Sequence, residues 1–168
     1  MYTEMLHNGQ TYKSVQMIGL IQRVSEASVT IDAKVTAQID VGLLALVGIE
    51  KNDSLTSAEK LLEKILAYRV FGDENDKMNL GLEDVHGSLL LVPQFTLVAD
   101  TRKGLRPGFS RGASPQIASE LFTDFIRLAL RRYPKVEAGT FGADMKVQLV
   151  NNGPVTFWLH VEPDSGSK

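Results

Sequence analysis

Runs of apolar residues, some continuous and some alternating with polar positions, predict a chain rich in β-strands. Residues 18–24 and 28–31 are strand-like, and the polar Asp32-Ala33-Lys34 before the segment 35–39 indicates a hairpin. Residues 43–49 form an uninterrupted apolar run, which is typical of a buried strand. Residues 88–97 are also apolar and are predicted to form a further strand.

Two segments with apolar residues at helical spacing predict helices. Thr56 and Glu59 are predicted to form a capping box at the start of the first, because each can satisfy a free backbone N–H of the other. Ser114 is the expected cap of the second helix, and Pro115 occupies its first turn. The predicted buried stripe of the second helix is Ala118, Leu121, Phe122, Phe125 and Ala129.

The C-terminal part of the chain has the clearest strand pattern. Apolar and polar residues alternate over 143–149, which predicts one buried and one exposed face. Residues 155–161 are apolar again, and the intervening Asn151-Asn152-Gly153-Pro154 is predicted to be a turn between two strands. Together with the helices, these elements predict an α/β fold: a largely antiparallel sheet or barrel-like β core on which two helices pack.

The length of 168 residues predicts one domain with a substantial core. Strand-like patterning begins at Met17, itself a plausible start codon, so residues 17–163 are the expected domain. The polar residues 1–16 lack the pattern of a signal peptide and are expected to be a disordered extension, and residues 164–168 a C-terminal tail.

Composition excludes several classes of protein. The chain has no cysteine, which excludes disulfides, cysteine nucleophiles and thiolate metal sites. The histidines His7, His86 and His160 show no ligand spacing, so we expect neither a metal nor a cofactor. No apolar run is long enough to span a bilayer. These features favour a cytoplasmic protein without a membrane partner.

Positive charge is concentrated in one loop, although the net charge is −2. Arg102, Lys103, Arg106 and Arg111 lie in one stretch that also contains glycine and proline. This stretch is either an ordinary solvated loop or the contact surface of a non-catalytic RNA-binding module.

The same region contains a pattern associated with serine hydrolases. Residues 108–112 match G-x-S-x-G, and Asp144 and His160 follow Ser110 in the chain order of such enzymes. A nucleophile elbow needs a strand that runs directly into the serine, whereas the glycine- and proline-containing stretch 103–107 precedes this one. A serine esterase that uses Ser110, Asp144 and His160 is therefore an alternative, not the favoured hypothesis.

Gln94 and Thr96 are polar positions in the apolar-rich segment 92–97, and they are predicted to share one face of a strand. They are either ordinary polar positions of a half-exposed strand or part of a pocket wall. In a pocket wall, their side chains would supply hydrogen bonds and nearby backbone N–H groups would bind an oxyanion.

Several ordered blocks together resemble the D-aminoacyl-tRNA deacylase family, also called D-tyrosyl-tRNA deacylases. The resemblance extends from Met17 to about Val161. The blocks are Ile21-Gln22-Arg23-Val24, Ala27-Ser28-Val29, Lys77-Met78-Asn79-Leu80, Gln94-Phe95-Thr96-Leu97, Arg106-Pro107-Gly108-Phe109, Gly112-Ala113-Ser114-Pro115 and Asn152-Gly153-Pro154-Val155-Thr156-Phe157-Trp158. The resemblance implies a hydrolase of translation quality control, which removes D-amino acids from tRNA as chiral proofreading and is expected to act on glycyl-tRNA as well.

The resemblance also implies a homodimer that binds the aminoacylated 3′ end of tRNA, with active sites at the subunit interface. Gln94, Phe95 and Thr96 would form one wall of each site. Gly153-Pro154 of the other chain, with its peptide bond cis, would form the other wall. Carbonyl oxygens of that dipeptide would exclude an L-amino acid by a clash with its Cβ, while a D-amino acid or glycine presents only hydrogen there. Arg23 would hold the turn in place.

The resemblance implies hydrolysis of an aminoacyl ester, which is already activated. Orienting the ester and stabilising the developing oxyanion could therefore suffice for catalysis. Thr96 is a candidate nucleophile by position, but no base is evident to activate it. We therefore expect Thr96 and Gln94 to act in catalysis by binding and orienting the substrate, with help from the 2′-hydroxyl of the terminal adenosine.

One position departs from the family pattern. Pro93 stands where the family more often has serine, and proline offers neither a hydroxyl nor an N–H. A related animal branch also has proline there but has alanine at the position of Phe95. Phe95 and Gly153-Pro154 therefore place this chain with the members specific for D-amino acids. Pro93 is expected to affect how strictly L-amino acids are excluded.

Overall fold

The structure, a computed structural model, describes residues 16–102 and 104–161. Apart from Gln16, which begins the first strand, the expected extension 1–16 lies outside the described residues, as does the tail 164–168. The boundaries of the expected domain 17–163 stay a prediction. The elements in chain order are β1 (Gln16–Ile31), β2 (Lys34–Ile39), β3 (Gly42–Gly48), α1 (Leu55–Ala67), β4 (Phe71–Gly72), β5 (Met78–Leu80), β6 (Ser88–Pro93), a 3-10 turn (Phe95–Val98), α2 (Pro115–Arg132), β7 (Val136–Ala138) and β8 (Lys146–Val161).

The long strand β1 organises the main sheet. One edge of β1 pairs antiparallel with β8 along almost its whole length. The other edge pairs antiparallel with β3 over residues 18–24 and with β2 over residues 27–31. Beyond β3, the strands β6 and β7 continue the sheet as parallel neighbours. The result is a mixed α/β fold in which the sheet curls into a nearly closed, barrel-like form.

Apolar side chains on the two faces of this sheet form two cores. The helices cover one face, where Leu61 and Ile65 of α1 and Phe122 and Phe125 of α2 are fully buried. Burial of each such side chain stabilises the fold by about 1.5–3 kcal/mol. The inner face of the barrel is filled by a smaller set: Val24, Ala27, Val29, Ala37, Ile39, Leu44, Leu90 and Val92.

The predicted N-terminal strands and hairpin are confirmed. Asp32 and Ala33 both have positive φ angles, 48° and 62°, which suits the tight two-residue connection between β1 and β2. The predicted strand 88–97 is wrong in its second half, because β6 ends at Pro93 and the chain then enters the 3-10 turn. Gln94 therefore precedes the 3-10 turn and Thr96 lies within it, so the two do not share one face of a strand.

The helices are where the sequence predicts them, but the first is capped differently. Ser54 is the N-cap of α1, and its side chain and that of Ser57 form the capping box, so the predicted pair Thr56 and Glu59 is wrong. The reason lies upstream, where the partly buried Asp53 carboxylate accepts the backbone N–H groups of Met17 and Glu50, both at 2.7 Å, and fixes the chain just before Ser54.

The cap and the buried stripe of α2 are confirmed. Ser114 accepts the N–H of Ile117, Pro115 is the first helical residue, and the buried residues are the five that the sequence predicts. Neither described helix combines the length and the apolar character that crossing a membrane requires.

The C-terminal segment also differs from its prediction. Residues 146–161 form one strand, β8, and not two strands joined by a reversing turn. Both halves pair with the same edge of β1, which is long enough to accommodate them. Gln22 pairs with Thr156 and Val24 pairs with Asn151, so residues 152–155 leave the ladder and return to it opposite Arg23. We call residues 152–155 the β8 excursion.

The corrected cap can be tested with two single substitutions. Ser54→Ala should lower the free energy of unfolding by about 1 kcal/mol, because it leaves a helix N–H without its acceptor. Thr56→Ala, in the exposed first turn, should change it by less than about 0.5 kcal/mol. Urea denaturation at one protein concentration measures both, and a larger loss for Thr56→Ala would contradict the assignment.

Candidate active site

A cleft of about 680 Å³ opens at the carboxyl ends of β3 and β6. Its volume falls within the usual range of pockets for small organic ligands. The lining is mainly apolar and comes from the ends of the two strands, the 3-10 turn, the loop 109–113, the start of α2 and the segment that leads into β8. It includes Val47, Ile49, Pro93, Gln94, Phe95, Val98, Phe109, Ala113, Pro115, Phe141, Asp144 and Met145.

The 3-10 turn is fixed against the end of β3. The backbone N–H of Gln94 donates to the carbonyl of Val47 at 2.7 Å, which is the last strand-like contact before the turn begins. Gly48 lets the turn approach closely, because a Cβ there would lie 3.0 Å from atoms of both Leu97 and Val98. The side-chain amide of Gln94 donates a hydrogen bond to the hydroxyl of Thr96.

Of the three residues predicted for this wall, Gln94 and Phe95 line the cleft directly. Thr96 is exposed beside it and is linked to it through Gln94. The backbone N–H groups of Phe95 and Thr96 begin the 3-10 turn, and neither donates to an acceptor among the residues that the structure describes. Two free donors at the edge of the cleft can bind an oxygen of a ligand.

Two aromatic rings form the outer rim of the cleft. Phe95 is 61% exposed and Phe109 is 43% exposed, and their ring centroids are 5.1 Å apart. Such tilted pairs stabilise by about 0.5–1.5 kcal/mol beyond the area they bury. The rings therefore support each other at the rim, although each remains available to a bound ligand.

The loop that carries Phe109 is attached to the strand end by a partly buried ion pair. The Arg111 guanidinium lies 2.6 Å from the carboxylate of Glu50, which is only 8% exposed. Burial raises the pKa of Glu50, and the positive charge of Arg111 opposes that shift. Backbone hydrogen bonds from Lys51 to Arg111 and from Ala113 to Ile49 complete the attachment. Arg111 thus has a structural role in the rim.

The other predicted site residues form a second cluster around the β8 excursion. Arg23 donates through Nε to the carbonyl of Asn152 at 2.8 Å and through Nη1 to the carbonyl of Val70 at 2.6 Å. Gly153 and Pro154 are exposed, and the peptide bond between them is cis, as the resemblance implies. Gly153 has a φ of +145°, a region that favours glycine.

Asn151 closes the base of the excursion. Its side-chain oxygen accepts the N–H of Val155 at 2.7 Å, and its amide group donates to the hydroxyl of Thr156 at 3.0 Å. Between them, Arg23 and Asn151 hold a turn in which residues 152–154 are exposed to solvent. Sequence reasoning assigned no role to Asn151. The signal was present, since asparagine side chains commonly bond nearby backbone at turns.

Within one chain the two clusters lie apart. Ile18 pairs with Gly48 beside the cleft, whereas Arg23 pairs with Leu43 beside the excursion. The strand between these points spans about 17 Å at roughly 3.3 Å per residue. Neither Gly153 nor Pro154 lines the cleft. One chain therefore brings Gln94, Phe95 and Thr96 together, and it brings Arg23, Gly153 and Pro154 together, but it does not join the two groups.

The alternative serine triad is not assembled. Ser110 is exposed in a loop, and no described strand runs into it. Asp144 lies in the cleft, but His160 lies on β8, on the far side of β1 from β3. In the described part of the chain, no hydrogen bond joins any two of these side chains. The arrangement does not support a serine esterase.

A family model described as "D-Tyr-tRNA(Tyr) deacylase" matches residues 20–160. A D-aminoacyl-tRNA deacylase of Haemophilus influenzae is 56% identical over 145 residues, which are 86% of this chain and the whole of that protein. One of Yersinia enterocolitica is 55% identical over the same extent. The chain belongs to the D-Tyr-tRNA(Tyr) deacylase family. The resemblance seen in the sequence is thereby confirmed.

Two solved structures share the fold of this chain. One named "c-Myc DNA Unwinding Element Binding Protein" has 33% identity and a TM-score of 0.83, covering 87% of this chain and 99% of its own. Another, of a probable eukaryotic D-amino acid tRNA deacylase, has a TM-score of 0.78 at 13% identity over 86% of this chain and 99% of its own, and supports the fold alone. Both cleft and excursion lie within the part that matches the deacylase family model.

The support of the excursion can be tested through Arg23. Arg23→Ala removes both hydrogen bonds, so we expect the free energy of unfolding to fall by about 1–3 kcal/mol. Hydrogen exchange at the amides of Val155 and Thr156 should become faster. Arg69→Ala, an exposed neighbour of Val70, is the matched control and should change neither quantity. Unchanged exchange in Arg23→Ala would contradict the positioning role.

Proposed function

We propose that this chain hydrolyses the ester bond between tRNA and a D-amino acid, releasing both, and that it also cleaves glycyl-tRNA. The observation that carries the proposal is the family match over residues 20–160, together with relatives named D-aminoacyl-tRNA deacylase at 55–56% identity. The geometry of the cleft and of the excursion supports a specific division of labour between them.

The cleft is the site proposed to receive the aminoacyl group. Its apolar lining suits side chains of varied size, and Gln94 provides a polar side chain where the lining meets the 3-10 turn. Phe95 and Phe109 offer ring faces to the substrate at the entrance. Pro93 ends β6 in the lining and contributes neither a hydroxyl nor an N–H, so the filter against L-amino acids must come from elsewhere.

We assign that filter to Gly153-Pro154 of a second copy of the chain, in a homodimer whose active sites span the interface. Two features support the assignment. The excursion is held by Arg23 and Asn151, yet Gly153 and Pro154 remain exposed. The cleft of the same chain lies about 17 Å away along β1. A rigid, exposed turn that cannot serve its own cleft suits the cleft of a partner.

The filter would work by exclusion and not by recognition. A main-chain carbonyl next to the substrate α-carbon clashes with the Cβ of an L-amino acid, whereas a D-amino acid or glycine places hydrogen there. Main-chain atoms serve this purpose well, because their position does not depend on side-chain rotamers. Glycine at position 153 has no side chain of its own that could cover the carbonyls, and a Cβ there would lie 2.6 Å from the side chain of Val155.

Catalysis would depend on positioning and on stabilising the developing negative charge. Thr96 already accepts a hydrogen bond from Gln94, and no histidine or carboxylate is bonded to its hydroxyl among the described residues, so it is not activated as a nucleophile. The free N–H groups of Phe95 and Thr96 are suited to bind the oxyanion. Water then attacks the ester carbon with help from the 2′-hydroxyl of the terminal adenosine. The bond from that carbon to the ribose oxygen breaks, a proton from the water passes to the ribose oxygen, and the free D-amino acid and tRNA are released.

A substrate panel tests this function. The purified protein should deacylate D-Tyr-tRNA and Gly-tRNA rapidly and L-Tyr-tRNA at least roughly a hundredfold more slowly, because a steric clash of about 3 kcal/mol or more opposes the L-form. D-Tyr-tRNA that ends in 2′-deoxyadenosine should react much more slowly than its ribo counterpart.

Two outcomes of the panel separate the alternatives. Ser110→Ala should retain most of the activity, whereas a serine esterase would lose it. Retention of intact D-Tyr-tRNA after incubation with the wild-type protein would instead favour a non-catalytic RNA-binding module. Equal rates with tRNA ending in adenosine and in 2′-deoxyadenosine would rule out a role for the 2′-hydroxyl in catalysis. They would not affect the claim that the enzyme is specific for D-amino acids and glycine.

A further inference from the structure

We propose that Arg106, in the loop between Asp100 and Gly108, contacts the phosphates of the tRNA acceptor end as the substrate enters the cleft. We call the described residues of this loop, 101, 102 and 104–107, the rim loop. The proposal rests on the proposed function, since it identifies how that same site holds the RNA part of its substrate. It is carried by the position of the loop and by the exposed charge of Arg106, which has no ion-pair partner within residues 16–102 and 104–161.

The position of the rim loop is fixed by its base. Asp100 and Gly108 exchange two backbone hydrogen bonds, at 2.7 and 2.9 Å, which close the loop where it leaves the body of the protein. On either side of this base lie Val98 and Phe109, and both line the cleft. The loop therefore projects from the rim of the cleft itself. An aminoacyl ester bound in the cleft would place the attached nucleotides beside it.

The arginines around the rim loop differ in whether they form ion pairs. Arg102 forms a bidentate pair with Asp100, at 2.8 and 2.6 Å, and holds the pKa of that carboxyl well below its usual range. Asp100 is thereby neutralised and does not repel an anion. Arg111 is held by Glu50. Arg106 is exposed and forms no ion pair or hydrogen bond within residues 16–102 and 104–161.

The overall charge of the chain makes local contacts necessary for holding a polyanion. Its net charge is −2, so a nucleic acid gains no general attraction and must be held by local charge. The segment 101–107 has three cationic residues and no acidic one. At its tip, Leu105 is fully exposed, and an apolar side chain between cationic residues suits the face of a ribose or base. Phosphate contacts position a nucleic acid without reading its sequence.

The test compares a full substrate with a minimal one. Arg106→Ala should raise KM for D-Tyr-tRNA roughly five- to tenfold and leave kcat nearly unchanged, because the contact lies outside the reacting centre. KM for D-Tyr-adenosine, which has no phosphates, should stay at the wild-type value. The slope of log KM against log salt for the tRNA substrate should decrease by about one. Arg106→Lys should restore most of the affinity.

Arg131→Ala is the matched control. Arg131 is exposed near the end of α2, about 24 Å along the helix from Pro115 in the cleft, and its removal should change neither KM. Equal increases in KM for both substrates would overturn the proposal and assign Arg106 to the shape of the cleft. No change with D-Tyr-tRNA would overturn it as well.

A separate measurement distinguishes failure of this proposal from failure of the proposed function. If the wild-type protein cleaves neither substrate, the proposed function is wrong, but binding of uncharged tRNA can still be measured by fluorescence anisotropy. Arg106→Ala should weaken that binding by a similar factor, and Arg131→Ala should not. Identical binding by the wild type and both variants would contradict the role of the rim loop independently of catalysis.

Discussion

The antiparallel ladder between β1 and β8 is the interaction on which the rest of the molecule depends. It extends from Gln16 opposite Val161 to Thr30 opposite Lys146, and it is interrupted where residues 152–155 stand out opposite Arg23. Because the ladder resumes on both sides, the excursion cannot drift along the strand. Arg23 and Asn151 then fix its shape with hydrogen bonds to its backbone. The turn is thereby held in place while Gly153 and Pro154 stay exposed.

The same ladder determines where the cleft can be. Since β1 also pairs with β3, the strand ends that form the cleft lie near one end of β1 and the excursion lies near its middle. The chain thus builds a pocket and, apart from it, a turn suited to closing a pocket. In the proposed homodimer, the excursion of each chain would lie against the cleft of the other chain and so complete both active sites. The RNA would then enter past the rim loop, at the open side of the cleft.

The sequence predicts the elements better than their ends. Periodicity and strand propensity locate both helices and most strands, because apolar faces must be buried wherever they occur. It predicts the wrong cap for α1, since Thr56 and Glu59 fit the pattern equally well and only the tertiary contacts of Asp53 favour Ser54. It extends β6 too far, because apolar Phe95 and Leu97 look strand-like, while the close approach allowed by Gly48 places them on a turn.

The site shows the same limit. Gln94, Phe95, Gly153 and Pro154 are identified through family resemblance, and their neighbours Asn151, Glu50 and Phe109 are not, since their roles arise from contacts between distant segments. The ion pair of Glu50 with Arg111 joins residues 61 positions apart. No local pattern could have separated Arg111, which supports the rim, from Arg106, which stays exposed. The three-dimensional contacts divide one basic cluster into two functions.

The central claim is that each active site joins the cleft of one chain to the excursion of another, and mixed dimers test it most directly. Gln94→Ala damages the cleft, and Gly153→Ala damages the excursion, because a Cβ there would lie 2.9 Å from the backbone nitrogen of Val155. Each variant alone should be nearly inactive on D-Tyr-tRNA. After co-expression, dimers that contain one copy of each should have one intact site, so the mixture should regain about a quarter of the wild-type activity. A mixture that forms such dimers by mass spectrometry yet stays as inactive as its parents would contradict the claim.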